Sequence, residues 1–496
     1  MTVPIVSVAH MRALETAALA AGISEVELQR RAGHAVAEEA AHLLTPGGRV
    51  VVLVGHGNNG RDGAVAAEWL ARRGYAVQMA LAPRHAVRPD ELALSRSLGV
   101  TTFGSERLDD VTQALARAEV AIDGLAGIGT RGALREPLAG LVRALNQAHG
   151  PRVLAIDVPS GMDADDGELP GEVVCADVTV TLGAVKQGLL RFPAATRVGR
   201  LVFRDIGLPA SDVPYRVLEP GGLVPPRPLD AHKYRFGRVL VVAGSDHFLG
   251  AAVLCSGGAL RAGAGLVTVG STRAVRQTVA AHLPEATFTR VDVEDVEQLR
   301  PYLESDDAVV IGPGLGRGPA QTALVRGVLE AHPRGQVVLD ADALFALAEM
   351  PEWWKLLSPE TILTPHAGEL ARLTGPPPPT EAPWETARRL ARQWQCILVA
   401  KGPFTCVADA DGQVAVWPRA NPALATGGTG DVLAGLCGGF VGQGSRAADA
   451  ARLAVAVHAL AAESLLERRG WRTLLASDLF EEIPAVLARL ANATRR

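Results

Sequence analysis

Short, almost uninterrupted runs of Val, Ile and Leu alternate with helix-length stretches along this chain, and the alternation occurs twice. The first series is RVVVLVG, AVQMALA, AEVAIDGLAG, RVLAIDVPSG and ADVTVTLGAVKQG, with AVAAEWLARRG among the helical stretches. The second is GRVLVVAGS, GLVTVGS, DAVVIGPGLG, QVVLDADAL, ETILTPHAGE and CILVAKG, with GAAVLCSGGALRAGA among its helices. Strands apolar on both faces must be covered on both faces, and a parallel pair needs a crossover that a helix supplies. Two doubly wound α/β domains are therefore expected. Between the series lies LEPGGLVPPRPLDAHKY, residues 218–234. Consecutive prolines continue neither a helix nor a central strand, so this stretch reads as a boundary. The expected domains are residues 1–217 and 225–496, and a chain of 496 residues is too long for one ordinary core.

Ligands of such sheets bind beyond the carboxyl ends of the strands. The first such loop is Gly55-His-Gly57-Asn-Asn-Gly60, which spells G-x-G-x-x-G. An NAD-binding dehydrogenase also needs a carboxylate at the end of the next strand, about 20 residues on, for the ribose hydroxyls. Here that strand ends Ala-Pro-Arg, with no carboxylate before Asp90. The loop carries Asn58, Asn59 and Asp62 where small residues would serve a plain pyrophosphate site. Two further strand ends supply Asp123, and Asp157 with Ser160. If these strands are neighbours, Asn59, Asp123 and Ser160 bring hard oxygen ligands together. Oxygens without His or Cys suit an alkali or alkaline-earth cation rather than zinc. The alternative is that each polar side chain caps the helix after it.

In the second half the run NPALATGGTGDVLAG, residues 421–435, sets Gly427, Gly428, Thr429 and Gly430 before Asp431, where an amphipathic helix is expected to open. Unobstructed N–H groups at a helix N-terminus bind anions. A carboxylate beside them is placed to take a proton from a hydroxyl attacking phosphorus, so phosphoryl transfer is the expected chemistry. No G-x-x-x-x-G-K-[ST] loop occurs, which excludes a P-loop enzyme. A glycine-rich turn with an Asp cap is the plainer alternative. Arg dominates the basic residues, and the only lysines are Lys186, Lys233, Lys355 and Lys401. Where Arg serves as the generic cation, surviving lysines point to sites needing a compact ammonium.

The bulk numbers narrow the partners. Net charge is −4, from 49 basic and 53 acidic residues, which argues against an extended nucleic-acid surface. Five scattered cysteines without C-x-x-C spacing read as reduced thiols, so a cytoplasmic protein is expected. Neither a signal peptide nor a membrane-spanning run is apparent.

GHGNNGRDG, DGLAGIGTRG, AIDVPSGMDADDG and TVTLGAVKQGL together resemble the NAD(P)H-hydrate epimerase (YjeF N-terminal) domain over roughly residues 1–215. The resemblance implies a Rossmann-like fold and a substrate that is NADH or NADPH hydrated at carbon 6 of the nicotinamide, whose R and S forms are interconverted without redox change. It assigns Asn58, Asn59, Gly60, Arg61 and Asp62, with Gly127, Ile128, Gly129, Thr130, Arg131, Gly132 and Ala133, to the substrate. It gives Asn59, Asp123 and Ser160 to a potassium ion and puts Asp157 at the reacting carbon. Epimerising a carbinolamine, by expelling and re-adding hydroxide or by opening the ring, needs a group that gives and takes a proton. Asp157 is expected in that role, with Lys186 as its helper. Arg61 departs from the family, which usually has glycine there; it must lie against a phosphate or point outward.

GGTGD resembles the ribokinase superfamily. AHKYRFGRVLVVAGSDHFLGAAVLCSGGALRAGAGLVTV, IGPGLG, LDADAL, LTPHAGE and VAKGPFT narrow the likeness to the ADP- or ATP-dependent NAD(P)H-hydrate dehydratases, over about residues 225–490. This implies phosphorylation of the hydrate hydroxyl and elimination to NAD(P)H, with ADP giving AMP and phosphate. Ala251, Gly314, His366 and Asp431 would contact the hydrate. Lys401, Gly402, Pro403, Phe404, Thr405 and Gly430 would contact the nucleotide. Asp431 would be the base, and Glu369 is similar in place to a magnesium-organising carboxylate, unless it is an ordinary first-turn acid. Departures are Tyr234 for glycine and Leu424 for methionine; neither removes a chemical group. ADP is expected as donor, although KGPFT itself does not separate ADP from ATP. The partners expected are hydrated NADH or NADPH and ADP/AMP, with no nucleic acid and no membrane, in a homo-oligomer. The rival reading is a ribokinase-like small-molecule kinase carrying a non-catalytic nucleotide-binding module.

Overall fold

The computed structural model describes residues 3–291, 296–332, 336–375, 381–470 and 474–493. The chain divides into two compact units, Met1–Val217 and Leu218–Arg496. In the first, strands β1 (Arg49–Val54), β2 (Ala76–Leu81), β3 (Thr101–Gly104), β4 (Val120–Gly124), β5 (Arg152–Ile156), β6 (Val178–Leu182) and β7 (Arg200–Arg204) form a parallel sheet. Its order is β3-β2-β1-β4-β5-β6-β7. The run VVVLV is buried because each face has its own core. Val50, Val52 and Val54 pack with Val36 and Leu70, whereas Val51 and Leu53 pack with Leu115 and Leu141. Three helices matter for the site: α1 (Val8–Ala20), α2 (Glu25–Ala41) and α3 (Asn58–Arg72). Ser7 and Ser24 cap the first two by accepting hydrogen bonds from the N–H groups of His10 and Glu27.

The second unit contains β8 (Arg238–Val242), β9 (Leu266–Ser271), β10 (Thr287–Arg290), β11 (Ala308–Ile311), β12 (Val337–Leu339), β13 (Ile362–Leu363), β14 (Ile397–Ala400), β15 (Cys406–Ala408) and β16 (Val414–Val416). They run in the order β16-β15-β14-β13-β12-β11-β8-β9-β10, parallel except where β15 meets β14 and β16. Both sheets are thus doubly wound. Their order reverses at β1/β4 and at β8/β11, and beyond those points the ligand crevices of such folds open.

Helices α4 (Leu249–Ala262), α5 (Ala367–Thr374), α6 (Thr429–Gly442) and α7 (Ala447–Arg469) complete the frame of the second site. The helix after the glycine run was expected to be amphipathic; instead α6 is buried on nearly every side. It is the central helix of its layer, packed against α4, α7 and the sheet. Its glycines permit this: a Cβ on Gly435 would lie 2.0 Å from the Cys255 carbonyl oxygen of α4. Alanine suits a helix better than glycine by about 1 kcal/mol. Overlap with rigid backbone outweighs that, so Gly435→Ala is expected to destabilise the chain by about 3 kcal/mol. Denaturant unfolding of the variant checks this; unchanged stability would mean the two helices can part at no cost.

Candidate active sites

At the β1/β4 reversal the chain turns through Gly55–Gly57 into α3. A Cβ on Gly55 would lie 1.8 Å from the Leu125 carbonyl oxygen, and one on Gly60 would lie 2.4 Å from the Gly55 carbonyl oxygen. These two glycines let helix and strand approach. Gly57, the N-cap of α3, has nothing within 4 Å of its Cβ position. An open glycine at a helix N-terminus lets a phosphate reach the main-chain N–H groups. A cavity of ≈ 660 Å³ opens there, lined by Asn58, Asn59 and Asp62, by Gly127 to Thr130 and Ala133, and by Asp157. Gly60, Arg61, Arg131 and Gly132 are not part of that lining. Arg61 points outward: its Nε donates to the Ala86 carbonyl at 3.3 Å and its Nη1 to Glu25 at 3.2 Å.

Asp157 follows β5 in the left-handed region, φ 66°, which few side chains besides Asn and Asp adopt. The turn aims its carboxylate at Lys186, which is fully buried and donates to Asp157 Oδ1. Lys186 Nζ also donates to the carbonyls of Leu182 at 2.9 Å and Ala184 at 3.0 Å, and Leu182 N donates to Asp157 Oδ1 at 3.0 Å. Two more carboxyls face this pair. Burial, then the charges of Asp157 and Glu15, hold the Asp62 carboxyl well above the usual range. Burial and Asp157 also raise Glu15, against the lowering effect of Lys186 and Arg12. Sequence reasoning missed Glu15, Arg12 and Arg135, which all line the cavity. No motif surrounds Glu15, and only the docking of α1 brings it there.

Asp123 and Ser160 are bonded to each other, and Asn59 shares the Ala126 turn with Ser160. Ser160 donates from Oγ to Asp123 Oδ1 at 2.6 Å and from N to Oδ2 at 2.8 Å. Ala126 N donates to Ser160 Oγ at 2.8 Å, and Asn59 Nδ2 donates to the carbonyls of Ala126 at 3.2 Å and Ile156 at 2.6 Å. None of the three caps a helix. Burial pushes the Asp123 carboxyl up to about 6 despite the donors from Ser160 and Leu125. All its potential ligands are oxygens, the donor set that suits an alkali cation and not a transition metal.

In the second unit the strand ends converge likewise. Asp340 follows β12, His366 follows β13 and Lys401 follows β14. Lys401 Nζ donates to Asp340 Oδ1 at 2.7 Å and lies 3.9 Å from Glu369. Burial works against its positive charge, but Asp340, Glu369 and Asp431 together raise the Lys401 ammonium above its ordinary range. Gly428, φ 88°, is the N-cap of α6 and offers no side-chain cap. The Cβ position of Gly430 is 3.3 Å from Lys401 Nζ, and that of Gly427 faces open space. Asp431 therefore sits in the first turn without a capping bond, and among the described residues no hydrogen bond reaches its carboxyl. Burial first, then Asp340, push it up to about 7 against the pull of Lys401. Buried His458 of α7, held down at about 4 by desolvation, donates from Nε2 to the Thr429 carbonyl at 2.9 Å and so fixes the start of α6.

Ala251 and Gly314 are neighbours: a Cβ on Gly314, φ 60°, would lie 2.8 Å from that of Ala251. His366 caps α5, accepting at Nδ1 from Gly368 and Glu369, while Glu369 Oε2 accepts from His366 N at 2.8 Å. Glu369 is thus a capping-box acid that also faces Lys401. The 402–405 turn is closed by Thr405 Oγ1 donating to the Gly402 carbonyl at 3.0 Å. Asp340 and Asp342, missed in the sequence, flank Ala341 at φ 49°. Asp342 accepts from Gly316 N and Arg317.

Residues 25–188 match the family described as YjeF-related protein N-terminus, and residues 239–485 match the NAD(P)H-hydrate dehydratases. The bifunctional NAD(P)H-hydrate repair enzyme of Coxiella burnetii is 37% identical over 96% of this chain and 97% of its own. That of Moorella thermoacetica is also 37% identical, over 89% of this chain and 88% of its own. Among solved structures, a ribokinase-like superfamily protein from Enterococcus faecalis is 26% identical with a TM-score of 0.51, covering 57% of this chain and 99% of its own.

Proposed function

This chain belongs to the family of bifunctional NAD(P)H-hydrate repair enzymes, and from that premise we propose that it epimerises hydrated NADH and NADPH and dehydrates the S form with ADP. We assign the first activity to residues 1–217 and the second to 225–496. The observation that carries the reading is the carboxyl of Asp431, which no hydrogen bond reaches among the described residues, beside an open glycine turn and the half-buried Lys401.

In the dehydratase half, main-chain N–H groups at Gly427 to Gly430 and the Lys401 ammonium hold the nucleotide's phosphates. Ala251, Gly314 and His366 position the hydrate so that its hydroxyl faces Asp431. Asp431 takes the hydroxyl proton as the oxygen attacks the terminal phosphorus and AMP departs. Phosphate then leaves carbon 6 far more readily than hydroxide would, with loss of a proton from carbon 5 to restore the ring double bond. Magnesium binds through one or two carboxylates plus substrate phosphates. Glu369 fits such a role, each oxygen keeping a lone pair, and the ion would supply neutralising charge on the phosphates.

In the epimerase half, the open N-terminus of α3 takes the pyrophosphate, and Asp157, held by Lys186, exchanges a proton with the oxygen at carbon 6. Asn59, Asp123 and Ser160 would hold potassium, which would supply a fixed positive charge. Their oxygen-only chemistry supports that assignment.

The test mixes the protein with hydrated NADH of both configurations and ADP, and follows the reduced-nicotinamide absorbance. Full recovery of both epimers is expected, and only the S fraction should recover quickly with Asp157→Asn. No recovery with either ADP or ATP would end the dehydratase assignment.

A further inference from the structure

We propose that Glu15 is the second proton-transfer group of the nicotinamide cavity, working opposite Asp157. One carboxyl gives a proton to the departing hydroxyl while the other takes one from the arriving water. This rests on the epimerase reading above and deepens it.

Glu15 reaches the cavity because α1 is pinned. Val8, Met11, Leu14 and Ala18 bury one side of the helix, and Val8 N donates to Asp165 at 2.7 Å. That leaves Glu15 half-buried on the cavity wall, in the same lining as Asp62 and Asp157. A helix-surface glutamate ordinarily reaches solvent or a basic neighbour. Among the described residues no hydrogen bond or ion pair reaches this one. The charged groups it faces are Asp157, Lys186 and Arg12, with Asp62 beside it. Glu25, His56 and Arg135 complete the titratable lining. Glu15 also precedes the segment matched by the family model, residues 25–188.

The chemistry asks for two such groups. Inverting carbon 6 through hydroxide loss requires departure from one face and addition to the other, and one carboxyl poorly serves both. The N1 lone pair forms the C6=N1 bond as the C6–O bond breaks, and the oxygen leaves as water with the proton of Glu15. A water then adds its oxygen to the opposite face of C6, the π pair returns to N1, and Asp157 takes the surplus proton. No atom or electron is gained or lost; one proton has passed from Glu15 to Asp157. The enzyme is then in the form that runs the reverse inversion, or resets through solvent. The oxygen at carbon 6 is therefore replaced by solvent oxygen at each inversion.

The test uses the full chain with Glu15→Gln and Glu15→Asp, following R/S exchange by separation of the epimers and subtracting the spontaneous rate. Glu15→Gln is expected to lower kcat about 100-fold or more with little change in KM, and to remove one limb of the bell-shaped pH profile. Glu15→Asp should restore that limb and part of the rate. Each wild-type inversion in ¹⁸O-water should incorporate one label. ADP-dependent NADH formation from the S hydrate should match wild type in both variants, because that activity belongs to the second unit, and thermal unfolding matching wild type reports that the first unit is folded. Exchange by Glu15→Gln within about threefold of wild type, both pH limbs retained, or inversion without label would overturn the proposal. If wild type exchanges and Asp157→Asn does not, such a result removes Glu15 alone. If wild type itself does not exchange, the epimerase reading goes with it.

Discussion

Asp431→Asn is expected to lower ADP-dependent recovery of reduced nicotinamide by about 10²–10⁴-fold, the range lost with a general base. R/S exchange should continue at the wild-type rate. The amide keeps the shape of the side chain, and among the described residues no hydrogen bond depends on the carboxyl, so the helix start should survive. What disappears is the capacity to accept a proton. The nucleotide contacts at Lys401 and the glycine turn remain, so the KM for ADP should stay near wild type while kcat falls.

The same carboxyl fixes a pH dependence. Burial, and secondarily Asp340, raise it to about 7. A base must be ionised to act, so the rate should be full above that value and fall as pH drops through it. Lys401 is the neighbour that lowers Asp431. Lys401→Met should therefore move the midpoint of this limb to higher pH, besides weakening nucleotide binding. The check is kcat for dehydration against pH at saturating ADP. An Asp431→Asn enzyme keeping a tenth or more of its activity, or a limb unmoved by Lys401→Met, would show that proton removal is not carried by this pair.

The architecture was legible because its signal is local. VVVLV, VLVVA and VVIG have no polar face to leave in water, so each must be an inner strand of a covered parallel sheet. Strand ends then locate the crevices, and the adjacency of β1, β4 and β5 is what brings Asp123 against Ser160 and Asn59 to the turn beside them. The details that resisted reading depend on tertiary placement. VAHMRALETAALA carries no mark on Glu15; its position comes from the side of α1 that Met11 and Leu14 bury. Lys401 and Asp340 pair from different strands, and no pattern in either announces the other. The reach of Arg61 was ambiguous because a guanidinium serves a phosphate or a surface carboxylate equally well; it pairs with Glu25 at the start of α2. Helix α6 resembled a surface helix only because its glycines give no weight to either side.

Lys186→Met is expected to cost about 3–5 kcal/mol of folding stability, the usual consequence of removing one partner from a buried ion pair. Lys186 is fully buried, and its ammonium satisfies Asp157 and the carbonyls of Leu182 and Ala184. Methionine has similar length but no donor, so a buried carboxylate and two carbonyls lose their partner at once. For the first unit this corresponds to a fall in melting temperature of about 10 °C. The loss of Asp157's partner should also abolish measurable R/S exchange. Lys186→Arg is not expected to rescue either property, because a planar guanidinium is too large for a pocket closed around a point charge. The double variant Lys186→Met, Asp157→Asn separates the two effects. With no charge left to strand, it should regain much of the stability while exchange stays absent. Differential scanning calorimetry with the epimer-exchange assay on all three variants is the measurement. A single Lys186→Met enzyme that melts like wild type would mean water or another cation already shares the Asp157 charge. One that still exchanges epimers would mean Asp157 does not need the ammonium to handle its proton.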